Sequence, residues 1–200
     1  MPFLANGKSI ILVLGDSLSN AHGIELKQSW VYLLQERLEK QHFAYEVINI
    51  SMSGDTTSNG IEKLPAALAT YQPAIVIIAL GANDGLQGLP ITLIHQNLKM
   101  LVTLAKKQRA NVLLVGMLIP LNYGPIYCEQ FEKVYSTISR EYQLIQVPFL
   151  LKDVALDPKL MQADGLHPTA DAQSLILDNV WPYLKKMLKN KQQSRLGQLK

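Results

Sequence analysis

Short apolar runs alternate with stretches of helical periodicity along almost the whole chain. Five of the runs have the length and apolar content of strands that are buried on both faces. They cover residues 9–14, 45–50, 74–80, 111–119 and 144–147. Strands of this kind are typical of parallel sheets that carry helices on both sides. The pattern therefore predicts a parallel sheet with helical connections.

Between these runs, apolar residues recur three or four positions apart, as on one face of a helix. The sets are Trp30, Leu33, Leu34 and Leu38; Ile61, Leu64 and Leu68; Leu98, Leu101, Val102 and Ala105; Phe131, Val134, Tyr135 and Ile138; and Leu175, Ile176, Val180 and Leu184. Pro65 is expected in the first turn of its helix or at a kink, and Pro182 at a bend. Residues 81–90 are predicted to be a loop. The resulting fold class is α/β, a three-layer α/β/α sandwich around a central, mainly parallel five-stranded sheet.

Composition narrows this picture to one domain. The chain has 200 residues, of which 48% are hydrophobic and 18% charged, as in a soluble globular protein. No apolar run is long enough to cross a bilayer, so we predict no integral membrane segment. Residues 1–7 lack the basic and apolar regions of a complete signal peptide, so such a peptide is either absent or removed.

The net charge of +3 is unevenly distributed, because the C-terminus holds six basic residues and no acidic one. These residues are Lys185, Lys186, Lys189, Lys191, Arg195 and Lys200. Without interleaved aromatic residues or a nucleic-acid-binding motif, they indicate a solvated helix end and tail. We predict a domain over 1–190, a frayed tail over 191–200 and no nucleic-acid partner.

A single cysteine, Cys128, excludes an internal disulfide and a cysteine-rich metal site. It has no obvious partner that would activate it, which favours a buried or neutral thiol. We expect neither a metal nor a cofactor.

Candidate chemistry lies where the predicted strands end, since ligands of open parallel sheets bind beyond the carboxyl ends of the strands. Gly15-Asp16-Ser17 directly follows the first strand and would expose the hydroxyl of Ser17 there. A serine hydroxyl needs a neighbouring base to become a nucleophile. Taken alone, Gly-Asp-Ser is also an ordinary turn.

Only four histidines can supply that base. His22, His42 and His95 are predicted to be surface residues. His167 differs because it follows Asp164 by three positions across a glycine turn, so the carboxylate could hold one ring nitrogen and present the other. The alternative is a turn before the last helix with an incidental histidine.

An oxyanion hole would complete the site, because hydrolysis places negative charge on the carbonyl oxygen. Gly54 can offer an unobstructed backbone N–H, Asn83 a side-chain amide and Ser17 its own N–H. These residues also favour turns, which is the alternative interpretation. Four separate loops that together supply nucleophile, base, acid and donors favour the catalytic interpretation.

The four blocks resemble those of the SGNH (GDSL) hydrolase family. They are Gly15-Asp16-Ser17-Leu18-Ser19, Ser53-Gly54-Asp55-Thr56-Thr57, Gly81-Ala82-Asn83-Asp84-Gly85 and Asp164-Gly165-Leu166-His167-Pro168. The resemblance implies a flavodoxin-like SGNH fold, a triad of Ser17, His167 and Asp164, and an oxyanion hole of Ser17, Gly54 and Asn83. Ala82 departs from it, since relatives often have a second glycine there.

Further segments, including Asn122-Tyr123-Gly124, are similar to a bacterial subgroup of thioesterases, lysophospholipases and arylesterases. The resemblance implies small acyl ester or thioester substrates, Tyr123 near the substrate, and a periplasmic or secreted location. A cytoplasmic location is the alternative. We expect a monomer or a weak homo-oligomer.

Leu86 and Leu89 follow Asn83 closely and are predicted to bind the acyl chain. With the neighbouring glycines they favour a mobile loop that closes over substrate. The alternative is an ordinary connection whose leucines pack into the core.

Two rival functions share parts of the pattern. A carbohydrate O-deacetylase would use the same catalytic frame, but it is expected to have a polar or aromatic platform for sugar. A flavodoxin-like binding protein would need Ser17 but would have no use for His167 or Asn83, and its glycine-rich phosphate loop is missing.

Overall fold

A computed structural model of the protein describes residues 7–188. Its five strands are β1 (Ser9–Gly15), β2 (Tyr45–Asn49), β3 (Ile75–Ala79), β4 (Asn111–Val115) and β5 (Ile145–Val147). They form one sheet in the order β2-β1-β3-β4-β5, and every neighbouring pair is parallel. All five residues of the central strand β3 are buried, as both-face coverage requires. The predicted α/β sandwich is confirmed.

Within residues 7–188, six α-helices pack around this sheet. They are α1 (Trp30–Lys40), α2 (Thr57–Tyr71), α3 (Ala82–Leu86), α4 (Ile91–Lys107), α5 (Pro125–Tyr142) and α6 (Gln173–Lys185). Helix contacts join α1 to α6, and α4 to both α2 and α5. Because parallel crossovers are right-handed, these two groups lie on opposite faces of the sheet. One cluster of buried apolar residues fills the space between the layers.

Helix α2 begins earlier than the apolar pattern indicates. The Thr56 side chain accepts the Asn59 N–H and the Asn59 side chain accepts the Thr56 N–H, which caps the helix and fixes its start. Pro65 consequently lies in the middle of the helix and not in its first turn. Its exposed position lets the helix continue although one backbone hydrogen bond is missing.

Two other boundaries differ from the sequence-based expectation. Residues 81–90 are not all loop, since α3 occupies Ala82–Leu86. The fourth strand ends at Val115. At the next residue, Gly116, the backbone passes so close to Pro148 that a β-carbon would lie 2.1 Å from its carbonyl oxygen. On α6, Leu175 is 42% exposed and Leu177 is buried in its place.

Within residues 7–188, no helix has the length and apolar character needed to span a bilayer. The predicted tail over 191–200 lies outside the described residues.

Candidate active site

Three strands deliver the candidate residues to one edge of the sheet. Ser17 follows β1, Gly54 lies between β2 and α2, and Asn83 follows β3 at the start of α3. The loop after β5 brings His167 to the same edge. His167 Nε2 lies 2.9 Å from Ser17 Oγ, and His167 Nδ1 lies 2.7 Å from Asp164 Oδ2. The structure therefore assembles a hydroxyl, an imidazole and a carboxylate in a hydrogen-bonded chain.

The turn that carries Ser17 is fixed by distant side chains. Trp30 Nε1 donates to the Leu18 carbonyl at 3.1 Å, and Asn49 Nδ2 donates to the Ser19 carbonyl at 2.8 Å. Trp30 is completely buried, so the turn rests on the core. These contacts hold the Ser17 hydroxyl in place before any substrate arrives.

Asp16, immediately before Ser17, is an unusual buried carboxyl. Its side chain is inaccessible, Oδ1 accepts the Leu18 N–H at 3.0 Å, and Oδ2 has no hydrogen-bond partner in the described part of the chain. Burial raises its pKa from 3.8 to about 7, against the opposing effects of the Leu18 N–H and of His167. Asp16 therefore exchanges its proton near neutral pH, one residue from the hydroxyl.

Asp164 has the opposite electrostatic environment. Its Oδ1 accepts the backbone N–H groups of His167 at 3.0 Å and Leu166 at 2.9 Å. The His167 backbone and side chain, followed by the Leu166 N–H, hold the pKa of Asp164 far below its usual value. The carboxylate accepts a hydrogen bond from Nδ1 when that nitrogen carries the ring proton. The lone pair of Nε2 is then directed at Ser17.

The loop before His167 is held by a residue that sequence analysis did not identify. Gln162 Nε2 donates to the carbonyl oxygens of His22 and Pro168, each at 2.9 Å. The amide thus joins the loop after β1 to the loop that carries His167. Nothing in the local sequence around Gln162 indicates its contact with His22, because that residue is far away along the chain.

Three candidate N–H donors lie in the segments that follow β1, β2 and β3, at the sheet edge that carries Ser17. Within residues 7–188, the backbone N–H groups of Ser17 and Gly54 have no protein acceptor. Gly54 has a φ of +84°, and no atom lies within 4 Å of the position that a β-carbon would take, so no neighbouring group crowds this residue on that side. Asn83 Nδ2 uses one hydrogen on the Asp55 carbonyl at 2.8 Å, which leaves the second available. The set can bind a developing oxyanion.

A buried acid positions the loops of these donors. Asp84 Oδ2 accepts the Thr57 N–H at 2.9 Å, and the Thr57 hydroxyl donates to Asp84 Oδ1. Burial raises the pKa of Asp84, with the Thr57 bonds acting against it. The pair joins α3, which carries Asn83, to the start of α2, which follows Gly54. Sequence analysis assigned no role to Asp84 or Thr57.

The other histidines differ in environment. His42 is exposed and His95 is half-buried in α4, so the surface prediction holds only partly for His95. His22 is exposed as predicted, yet its ring packs against that of His167, with 4.1 Å between centroids and a tilt of 33°. Cys128 is half-buried, and its Sγ contacts the Pro120 carbonyl at 3.4 Å.

The predicted substrate contacts divide into two groups. Leu89 packs against the core, which favours the alternative of an ordinary strand-to-helix connection for that residue. Leu86 is half-buried outside the core cluster, and Tyr123 is 38% exposed. Gly85 is no hinge, because a β-carbon there would lie 2.7 Å from atoms of Ile119 and Phe131.

Comparison with known proteins gives a consistent result. The profile of the GDSL-like Lipase/Acylhydrolase family matches residues 13–175. The chain is 46% identical to an esterase named TesA from Pseudomonas aeruginosa over 89% of each chain. It is 41% identical to an arylesterase from Vibrio mimicus, again over 89% of each. It is 36% identical to thioesterase 1/protease 1/lysophospholipase L1 of Escherichia coli K12, over 89% of this chain and 84% of the relative.

Solved structures agree in fold. A crystal structure of TesA superposes with a TM-score of 0.88 at 46% identity and covers 90% of this chain and all of that one. The esterase EstA from Pseudoalteromonas, in a structure inhibited by monoethylphosphonate, gives 0.84 at 39% identity, covering 90% of this chain and 98% of that one.

Proposed function

The chain belongs to the GDSL-like lipase/acylhydrolase family, and from that premise we propose that it hydrolyses acyl esters and thioesters through an acyl-enzyme on Ser17. The observation that carries the proposal is the continuous chain from Ser17 Oγ through His167 to Asp164, with bonds of 2.9 and 2.7 Å. A flavodoxin-like binding site has no use for such a chain. The names of the relatives, an esterase, an arylesterase and a thioesterase, support the same substrate class.

In the first half-reaction, Ser17 Oγ attacks the carbonyl carbon of the substrate while His167 Nε2 takes the hydroxyl proton. The carbonyl oxygen becomes an oxyanion, and the N–H groups of Ser17, Gly54 and Asn83 stabilise it. Asp164 stabilises the imidazolium that forms. His167 then returns the proton to the leaving alcohol or thiol as the C–O or C–S bond breaks, and the acyl group remains on Ser17.

In the second half-reaction, water attacks the acyl-enzyme and gives a proton to His167 Nε2. The same three donors bind the second oxyanion. Collapse of this intermediate breaks the bond to Ser17 Oγ, which takes the proton back from His167. The products are a carboxylic acid and the free enzyme, so no cofactor is consumed.

The surface around this site favours an acyl chain over a sugar. The most exposed large apolar side chains of the described residues lie in segments that follow the carboxyl ends of strands. They are Leu156 (98%), Leu121 (81%), Ile126 (71%), Leu26 (64%) and Met52 (58%). Exposed apolar side chains in the segments that follow the strands can contact an apolar ligand. This supports medium or long acyl groups as substrates and weighs against the carbohydrate O-deacetylase.

The experiment that tests the proposal is covalent labelling. A fluorophosphonate should modify the wild-type protein once, on Ser17, as located by peptide mass spectrometry. Ser17→Ala should lose the label and at least ~10³-fold in turnover of nitrophenyl esters, while retaining its melting temperature. Ser53→Ala, at an exposed serine in the loop of Gly54, is the matched control and should behave as wild type. Labelling of another serine would overturn the assignment.

A periplasmic or secreted location remains a proposal, supported by the resemblance to exported bacterial relatives. Cell fractionation with an antibody against the native protein tests it. Recovery in the cytosolic fraction alone would contradict it.

A further inference from the structure

His22 lies beside the proposed base but takes no part in its hydrogen bonds. Together with His167 and Asp164 it offers three ligand atoms, one per residue, that all lie within 4.8 Å of one another. His22 and Asp164 are exposed and His167 is half-buried, so an ion can reach them from solvent. In the described part of the chain, the ring of His22 makes no hydrogen bond, and it packs against the ring of His167.

We propose that His22, His167 and Asp164 form a binding site for Zn²⁺ and related divalent transition-metal ions, and that an ion bound there reversibly inhibits hydrolysis. Two imidazoles and a carboxylate are the ligand set that such ions prefer. The site differs from a catalytic zinc centre, because the same imidazole is needed as the base. Only the inhibitory consequence rests on the proposed function.

The spacing of the three groups suits one ion. Zinc bonds nitrogen at ~2.0–2.1 Å, so two ligands of one ion lie at most about 4 Å apart. Because the three ligand atoms lie within 4.8 Å of one another, they need to move only a little to bind one ion. The exposed ring of His22 can supply this movement by rotation about its side-chain bonds. Three protein ligands leave the fourth tetrahedral position to water.

The charges of the site favour a cation. Asp164 supplies a carboxylate oxygen next to the two imidazoles, which adds a negatively charged ligand to two neutral ones. Its Oδ2 accepts one bond from His167 Nδ1 and has a further lone pair for a metal. Imidazole binds a metal through the lone pair of a ring nitrogen, and each of the two histidines offers one such nitrogen.

Binding of the ion to either ring nitrogen of His167 inhibits hydrolysis. A metal on Nε2 occupies the lone pair that must take the proton of Ser17. A metal on Nδ1 displaces the proton there, and the neutral ring then carries its proton on Nε2. In both cases His167 can no longer act as the base.

Enzyme without an affinity tag, dialysed against a chelator, should lose nitrophenyl-ester hydrolysis as Zn²⁺ is added and regain it when excess chelator follows. His22→Gln should raise the half-inhibitory concentration by at least ~10-fold, since even loss of a group that only orients a ligand costs ~10–100-fold in affinity. Each variant is compared with its own metal-free activity. His42→Gln and Cys128→Ser are matched controls and should keep the sensitivity of wild type.

Direct binding separates the site from the reaction. Isothermal titration of Ser17→Ala with Zn²⁺ should show one bound ion, and the double variant with His22→Gln should lose it. If wild type hydrolyses no ester, the proposed function fails while this titration still decides the metal site. Equal zinc sensitivity of wild type and His22→Gln, or protection by Cys128→Ser alone, would overturn the inference.

Discussion

At the scale of single residues, the side-chain amide of Asn83 shows how the site is organised before substrate binds. One of its hydrogens is directed at the Asp55 carbonyl, 2.8 Å away, which fixes the orientation of the amide plane. The other hydrogen is then available in a known direction. A donor fixed in this way needs no reorganisation when charge develops on the substrate, and this is why such donors contribute strongly to catalysis.

Asn83→Ala should therefore lower kcat by ~10²–10³-fold, equivalent to ~3–4 kcal/mol of transition-state stabilisation. KM should change much less, because the oxyanion exists only in the transition state. Steady-state kinetics with nitrophenyl esters measure both constants. Asn111→Ala, at an exposed asparagine that begins β4, is the control. A variant of Asn83 that changes KM alone would place the amide in substrate binding.

At the scale of elements, two segments beside the site are joined by tyrosine hydroxyls. Tyr123 donates to the Leu86 carbonyl and Tyr127 to the Leu89 carbonyl, each at 2.7 Å. The segment after β4 thus supports the connection between α3 and α4. Within that connection the two leucines differ, since Leu89 packs against the core and Leu86 does not.

This difference predicts distinct effects of the same substitution. Leu86→Ser should reduce hydrolysis of octanoyl and longer esters more than that of acetyl esters, because each methylene that loses apolar contact forfeits ~0.8 kcal/mol. Its melting temperature should remain that of wild type. Leu89→Ser should lower the melting temperature and reduce activity equally for all chain lengths. Equal losses across chain lengths in Leu86→Ser would exclude Leu86 from the acyl-binding surface.

At the scale of the whole molecule, the parallel sheet buries part of the turn that carries Ser17. Asp16 is an ionisable residue in this turn. Its side chain is inaccessible, and burial raises its pKa to about 7. Between pH 3.8 and about pH 7, the Asp16 carboxyl keeps its proton in the folded protein, whereas in the unfolded chain it has lost it. The free energy of unfolding therefore falls as pH rises through this range, and above it the full loss of stability has been reached.

Asp16→Asn removes the charge and retains an oxygen for the Leu18 N–H. The variant should be more stable than wild type at pH 8, by up to ~4 kcal/mol, since one pKa unit corresponds to 1.36 kcal/mol. At pH 4 the difference should nearly vanish, because Asp16 is then protonated in the folded protein. Urea denaturation at both pH values measures it. Asp171→Asn, at an exposed aspartate, is the control, and a gain independent of pH in Asp16→Asn would show that Asp16 is ionised throughout.

Local patterns along the sequence determined the architecture and the candidate residues. Burial on both faces favours a continuous apolar run, as in β1 and β3, and the shorter apolar runs of β2, β4 and β5 were also recognisable in the chain itself. The order of strands and helices then placed the blocks of Ser17, Gly54 and Asn83 at one edge, because parallel strands end together. The pairing of His167 with Asp164 is equally local, since they are three positions apart across a glycine turn.

Only the tertiary structure decided how these residues are held and what else reaches them. The contacts of Asp84 with Thr57 and of Gln162 with the His22 carbonyl join segments that are distant in the chain. The packing of the His22 ring on His167 and the burial of Leu89 arise in the same way. Such contacts depend on how whole helices and loops pack, and no periodicity within one segment encodes them.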